Sequence, residues 1–236
     1  MKLERGQTVA LQSISAVIPT LNEAAELPAT VQRLRDVPEV SQIVVADGGS
    51  ADGTQLLAAQ LGCNVVQTAR GRGTQMSAGA RQATGEVVLL LHADTWLEPD
   101  AGGAILDALN NSGAVGGGCW KVFRDPHWLM RGSRLKCWIR FVLFRRFMGD
   151  QAMFVRRDIL EKIGGVPDVP IMEEFELCRL LRAQGKLVLA PMTVSTSARR
   201  FKKHGVVRTY ARMGRVTLQY YWGTPLTQLA RMYERT

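Results

Sequence analysis

Residues 87–95 read VVLLLHADT, five apolar residues followed by His92, Ala93 and Asp94. A strand apolar at every position is buried on both faces, the condition of a central strand in a parallel sheet. Open α/β sheets bind ligands beyond the carboxyl ends of their strands. An acid there is placed to hold a divalent cation through oxygen. Outward from this strand, SAVIPT (15–20), QIVVAD (42–47) and CNVVQT (63–68) read as further strands, and 25–36, 54–61 and 74–83 as helices. This alternation predicts βαβ units and a parallel sheet, an α/β fold. Glu23, Asp47 and Asp94 each follow a strand, so the topology brings three acids to one sheet edge.

The second half is less regular. Residues 113–122 have strand character weakened by glycines, 127–147 read as one amphipathic basic helix, and 150–157 as a strand. A helix is expected over 173–184, then a strand over 186–191. From residue 204 two short helices are expected, separated by Gly223-Thr224-Pro225.

With 236 residues and 46% apolar content the chain can bury an ordinary core. Its four cysteines lack paired spacing, which argues against a zinc site and fits isolated thiols in a reducing cytoplasm. The start carries no secretory pattern and no run reaches membrane-span length. The net charge of +9 is concentrated: 197–215 hold seven Lys or Arg and no acid, and 121–147 mix eight basic residues with Trp, Phe and Leu. Such an excess suggests phosphate-bearing partners, which on composition alone are nucleotide diphosphates, anionic lipid or nucleic acid. No nucleic-acid recognition motif accompanies it.

Three stretches bear on chemistry. In ADGGSADGT (46–54), Gly48 and Gly49 let the backbone approach a ligand while Asp47 accepts from a base or ribose, or the glycines serve only a turn. RGRGTQM (70–76) offers Arg70, Arg72 and Gln75 at a helix start for phosphate or base, or as solvated side chains. Its G-x-G lacks the third glycine of a dinucleotide site. Glu173 and Glu174 open a helix, as dipole complements or as a general base.

Taken in order, VIPTLNEA, VVADGGSADGT, LLHADT, GDQAMFVRR and IGGVPD…MEEFEL resemble family 2 glycosyltransferases of the GT-A fold, over about Ala16 to Pro191. The chain is more closely similar to a subgroup of small bacterial enzymes with His-Ala-Asp, Gly-Asp-Gln and Ser-Ala-Arg-Arg signatures. That subgroup is often associated with radical-SAM gene clusters or arsenosugar biosynthesis. The resemblance implies a GT-A domain over 1–200, with a nucleotide half near 14–95 and an acceptor half near 96–200, then a helical extension over 201–236.

It also implies inverting, metal-dependent transfer from a nucleotide diphosphate sugar, UDP ahead of GDP, to an unidentified acceptor hydroxyl. Pro19, Asn22, Glu23, Asp47, Gly49, Arg72, Gln75 and Ala93 would line the donor pocket, with Arg199 and Arg200 closing over the diphosphate. Asp94, with His92 in place of a first Asp, would hold Mg²⁺ or Mn²⁺. Gly149, Asp150 and Gln151 would face the acceptor. Glu174 or its neighbour Glu173 would be the base, Glu174 standing where the family has Asp. A nucleotidyltransferase would need a Gly-x-Gly-Thr-Arg loop after the first strand, which is missing. A non-catalytic nucleotide-sugar or membrane-surface module is the remaining alternative. The reading places the chain in the cytoplasm or peripherally on the inner membrane face, with oligomeric state open.

Overall fold

The computed structural model describes residues 10–124 and 126–234. The first nine residues, part of the stretch without a secretory pattern, lie outside the described residues. One eight-stranded sheet organises the chain: β1 (Ile14–Thr20), β2 (Val40–Asp47), β3 (Asn64–Gln67), β4 (Val87–Leu90), β5 (Thr95–Trp96), β6 (Gly116–Arg124), β7 (Met153–Arg156) and β8 (Leu187–Ser197). The spatial order is β3-β2-β1-β4-β7-β6-β8-β5. β1 to β4 are mutually parallel, β7 is inserted antiparallel between β4 and β6, and β6 and β8 are parallel.

Alternate residues of the central strands serve two cores, which explains their unbroken apolar runs. Ile14, Ala16, Ile18, Val87 and Leu89 pack with α1 (Leu27–Arg35) and α4 (Ala101–Ser112). Val17, Val88 and Leu90 face α3 (Arg72–Arg81) and α7 (Glu173–Gln184) on the other side. α2 (Thr54–Gln60) and α6 (Arg157–Lys162) complete the layers. Pro in its first turn starts α1, and Gly113 at φ 64° stops α4, the position where a left-handed residue ends a helix.

Several elements differ from expectation. β4 stops at Leu90, and a turn closed by Thr95 N donating to His92 O (3.1 Å) carries the His-Ala-Asp stretch. The expected helix over 127–147 is broken at Gly132 into a 3-10 turn (Trp128–Met130) and α5 (Ser133–Phe144). The strand expected from 150 begins at Met153. Gly149–Gln151 form a 3-10 turn, and Ala152 is left-handed at φ 46°. β8 runs on to Ser197, with a register shift between Cys119 and Trp120 of β6 opposite the Pro191 region. Proline lacks the ladder donor, and the irregularity accommodates it. α4 was not anticipated from the sequence.

The tail forms α8 (Arg199–His204), α9 (Val206–Tyr221) and α10 (Leu226–Glu234), so the first of the two expected helices is long rather than short. Phe123, Met130, Ala198 and Phe201 make a separate small cluster that anchors these helices to the end of β6. The four cysteines are free. Among the described residues no helix is long and apolar enough to cross a membrane.

Candidate active site

Pairing of β5 with β8 decides what meets Asp94. Thr95 lies opposite Thr196, their hydroxyls 3.0 Å apart, and Ser197 N donates to Asp94 O at 3.1 Å. Two residues later Arg199 turns back over the sheet edge. Its Nε donates to Asp94 Oδ2 (3.1 Å) and its Nη2 to both Glu23 oxygens (2.5 Å each). One guanidinium therefore joins the acids that follow β1 and β4. Burial raises the proton affinity of both Asp94 and Glu23, and Arg199 opposes it. Beside them Trp96 stacks under Arg124, whose guanidinium carbon is 3.5 Å from the ring centre, with Arg33 at 4.5 Å.

A second cluster forms where α3 and α7 begin. Arg72, the first residue of α3, donates through Nε to Glu173, and its Nη2 lies 2.9 Å from Glu174 Oε1. Its Nη1 is 3.4 Å from His92 Nε2. Burial, then the charge of Arg72, drives His92 down to about 3, so the ring is neutral. Arginine only donates, which puts the His92 proton on Nδ1 and leaves Nε2 as acceptor. Glu173 and Glu174 are both buried. Burial pushes Glu174 up to about 7, Arg72 opposing and Glu173 adding to it. Despite the nearby guanidinium, Glu174 Oε1 has no donor in hydrogen-bond geometry. Met172 enters α7 at φ 64°, a conformation costly for a side-chain-bearing residue and retained where the surroundings enforce it.

Gly149 closes this cluster. A Cβ there would collide with Glu174 Oε1 and with His92 Nε2. Gly149→Ala is expected to displace both groups, lowering turnover far more than thermal stability; equal turnover in wild type and variant would show that this packing is dispensable. Asp150 Oδ2 pairs with Lys121 Nζ at 2.5 Å, while its Oδ1 is buried without a partner. Burial raises Asp150, but Lys121 and Arg140 more than reverse it. Burial, then the like charges of Arg72 and Arg212, lower Arg200 while Asp94 opposes them, and its guanidinium lies over the Tyr233 ring.

Other sequence-selected residues are placed differently. The Asp47 carboxylate is fully buried and accepts from Gly49 N (3.0 Å), Ser50 N (2.8 Å), Gln55 Nε2 (2.7 Å), Thr20 Oγ1 (2.9 Å) and Ser50 Oγ (2.5 Å). Its lone pairs organise the loop and are not presented to a base. Gln75 is buried and donates to Thr20 O (2.6 Å) and Ala46 O (3.0 Å), because two strand ends leave carbonyls that need donors. Gln151 is likewise buried, donating to Cys119 O (3.1 Å). The Ala93 side chain lies in the core. Asn22, left-handed at φ 57°, accepts from Ala51 N at 2.8 Å and so ties the first loop to the Gly49 loop. Pro19 is half-buried near the end of β1, in register with Ala46. Sequence reasoning missed Lys121, a lysine in a glycine-weakened strand, and Trp96 with Arg124.

Asp47→Asn is expected to cost on the order of 2 kcal/mol, the scale of hydrogen bonds to a charged group. Burial raises Asp47, but the hydrogen bonds prevail and its folded value lies below the ordinary one. Its stabilisation is therefore complete above the ordinary aspartate value and is lost as pH falls through the lowered one. Urea midpoints of both proteins at pH 7 and in acid check this; a constant difference across that range would contradict it.

Among the described residues no three His, Cys, Asp or Glu groups form a metal cage. His92 contacts Arg72 and Asp94 contacts Arg199, the two residues lying in the turn after Leu90. A site built from Asp94 and the phosphate oxygens of a ligand is chemically suitable, because Mg²⁺-type ions use one or two carboxylates plus phosphates and keep waters.

Residues 15–164 match the model of Glycosyl transferase family 2. The chain belongs to that family. Among curated relatives, an uncharacterized glycosyltransferase of Mycobacterium tuberculosis is 36% identical over 83 residues, 35% of this chain and 37% of the relative. A dolichol-phosphate mannosyltransferase of Pyrococcus furiosus is 25% identical, covering 70% of this chain and 46% of the relative. The chain thus spans less than half the length of the curated relatives it matches. Among solved structures, a mannosyltransferase from Pyrobaculum calidifontis in complex with GDP-Man and Mn²⁺ superposes with TM-score 0.65 at 18% identity, over 97% of this chain and 74% of that one. The likeness establishes the GT-A fold. Membership of this family does not favour the nucleotidyltransferase or the non-catalytic alternatives.

Proposed function

We propose that this family 2 glycosyltransferase moves a sugar from a nucleotide diphosphate sugar to an acceptor hydroxyl with inversion. The observation that carries the reading is Glu174: a buried carboxylate, pushed up to about 7, whose Oε1 beside Gly149 lies 2.9 Å from Arg72 Nη2 yet accepts no hydrogen bond. A general base needs a value near the working pH and an open lone pair toward the proton it takes. Glu174 removes the acceptor proton as the acceptor oxygen bonds to the anomeric carbon. The bond from that carbon to the diphosphate oxygen breaks, and the nucleoside diphosphate leaves with its electron pair. Glu173, engaged by Arg72, orients that guanidinium.

The donor diphosphate would lie between the two clusters, within reach of Arg72, Arg199 and Arg200. These cations match the charge that develops on the leaving group. Asp94, with diphosphate oxygens, would hold a divalent cation, Mg²⁺ or Mn²⁺, which supplies further neutralisation of that charge. The Pyrobaculum protein bound to GDP-Man and Mn²⁺ supports this choice of donor class and ion. The loops organised by Asp47 and Asn22 offer their backbone to the nucleoside, with UDP preferred to GDP. Asp150, with its free oxygen, faces the acceptor. The His-Ala-Asp, Gly-Asp-Gln and Ser-Ala-Arg-Arg signatures carry Asp94, Asp150 and Arg199, and a role in the radical-SAM or arsenosugar subgroup belongs to the same proposal. Its setting would be the cytoplasm or the inner membrane face.

Incubation with UDP- and GDP-hexoses, with and without Mn²⁺, tests the proposal. Metal-stimulated release of nucleoside diphosphate is expected from one of them. Ligand-induced stabilisation by nucleotide sugars without any release would leave a binding protein instead.

A further inference from the structure

α5 is amphipathic in the opposite sense to an ordinary sheet-packing helix. Its inner side buries only Ser133 and Cys137, with Phe141 stacked on Phe147 at 5.4 Å. Leu135, Trp138, Ile139, Val142 and Leu143 are 60%, 48%, 41%, 44% and 66% exposed. At 3.6 residues per turn these five share one face. Trp128 before the helix is 67% exposed, and Phe144 at its end meets Tyr221 of α9 at 5.5 Å, next to Trp222, 69% exposed. Singly exposed apolar residues need no explanation, but a contiguous patch of this kind marks an interaction surface.

The charges on α5 and its flanking turns are all of one sign, and Glu176 of α7, at the Tyr220–Tyr221 end, is engaged by Tyr220 and Arg179. By helical spacing Arg134 borders the patch on one side and Lys136 and Arg140 on the other, with Arg131 before the helix and Arg145 at its end; residues 127–148 contain no Asp or Glu. α9 across the Phe144–Tyr221 contact is also free of acids. A two-fold contact between copies would place the same patch against itself, so these basic residues would oppose one another without acidic partners. An anionic bilayer satisfies both halves of the pattern, taking aliphatic and Trp side chains at the head-group boundary and basic residues around them.

We propose that the α5 face docks on an anionic lipid surface, and, resting on the glycosyltransferase reading above, that the acceptor is carried by that membrane. α5 is joined to the acceptor side through Ser133 Oγ, which donates to Lys121 O at 2.9 Å, while Lys121 pairs with Asp150. One helix, about 10 Å across with its side chains, carries both the exposed face and the Ser133 contact to Lys121. An amphiphile held in the bilayer by its apolar part would present its polar hydroxyl at that depth.

Co-sedimentation of the full chain with vesicles tests this. Binding to phosphatidylglycerol-containing vesicles at low salt is expected, with little to pure phosphatidylcholine. High salt should weaken it, as should Arg134→Gln with Arg145→Gln, because exposed charges are screened. Trp138→Ser with Leu143→Ser should lower the partition coefficient about tenfold or more by removing apolar insertion. No binding to phosphatidylglycerol at low salt overturns the proposal, and so does binding that the Trp138/Leu143 pair leaves unchanged, which would be charge attraction alone. A dimer in light scattering that Trp138→Ser dissolves, without vesicle binding, would assign the face to a second copy and also overturn it. Donor hydrolysis measured without vesicles keeps the readings apart: hydrolysis without vesicle binding defeats the docking and leaves the transferase reading, and vesicle binding without hydrolysis leaves the docking and defeats the transferase reading together with the membrane-held acceptor that rests on it.

Discussion

Glu174→Gln is expected to lose sugar transfer by roughly 10²–10⁴-fold, the usual cost of removing a general base, while donor affinity changes little. The amide fills the same space between Arg72, Gly149 and His92 but cannot take the acceptor proton. Wild-type kcat/KM should rise with pH through about 7, because the base must be unprotonated and burial has raised Glu174 to that range. The variant should lack this limb. A matching sign applies to stability: a carboxylate raised in the fold stabilises it at low pH, and the contribution is lost as pH rises through about 7. Glu173→Gln should be milder, since it loosens Arg72 without touching the acceptor. If Glu173→Gln were the inactive variant and Glu174→Gln retained the limb, the two roles would be exchanged.

Asp94→Asn is expected to abolish metal-stimulated donor turnover, a loss on the order of 10²–10³-fold, comparable with removing one preorganised group that stabilises developing charge. The carboxamide keeps the shape that meets Arg199 but loses the charge a hard cation requires. Little stability should be lost, since burial already disfavours the charged form of Asp94 and Arg199 retains Glu23. Titrating turnover with Mn²⁺ in both proteins checks this. Full Mn²⁺-dependent activity in the variant would mean that the metal is held elsewhere.

The N-terminal half of the sheet was legible because its signals are local. β1 to β3 and the helices between them follow from apolar runs and turn residues within a few positions of each other. The placement of Glu173 and Glu174 at a helix start was readable for the same reason. What joins the site is long-range: Arg72 reaches acids 101 and 102 positions away, and Arg199 spans to Asp94 and Glu23 across 105 and 176. Periodicity carries no record of such pairings. The bonds that Asp47 and Gln75 make to their own loops were hidden for a related reason. A polar residue beside a ligand loop looks the same in sequence whether it faces ligand or satisfies the loop's own backbone. The glycines in α4 and β6 obscured elements whose tertiary packing overrides weak propensity. Lys121 was hidden in one of them.

A single displacement assisted by Glu174 fixes the anomeric configuration of the released sugar. An α-linked UDP- or GDP-hexose can be followed by proton NMR during hydrolysis, with water in place of the acceptor and before mutarotation intervenes. The account predicts the β-anomer first, at a rate that depends on Glu174. The α-anomer appearing first would contradict it.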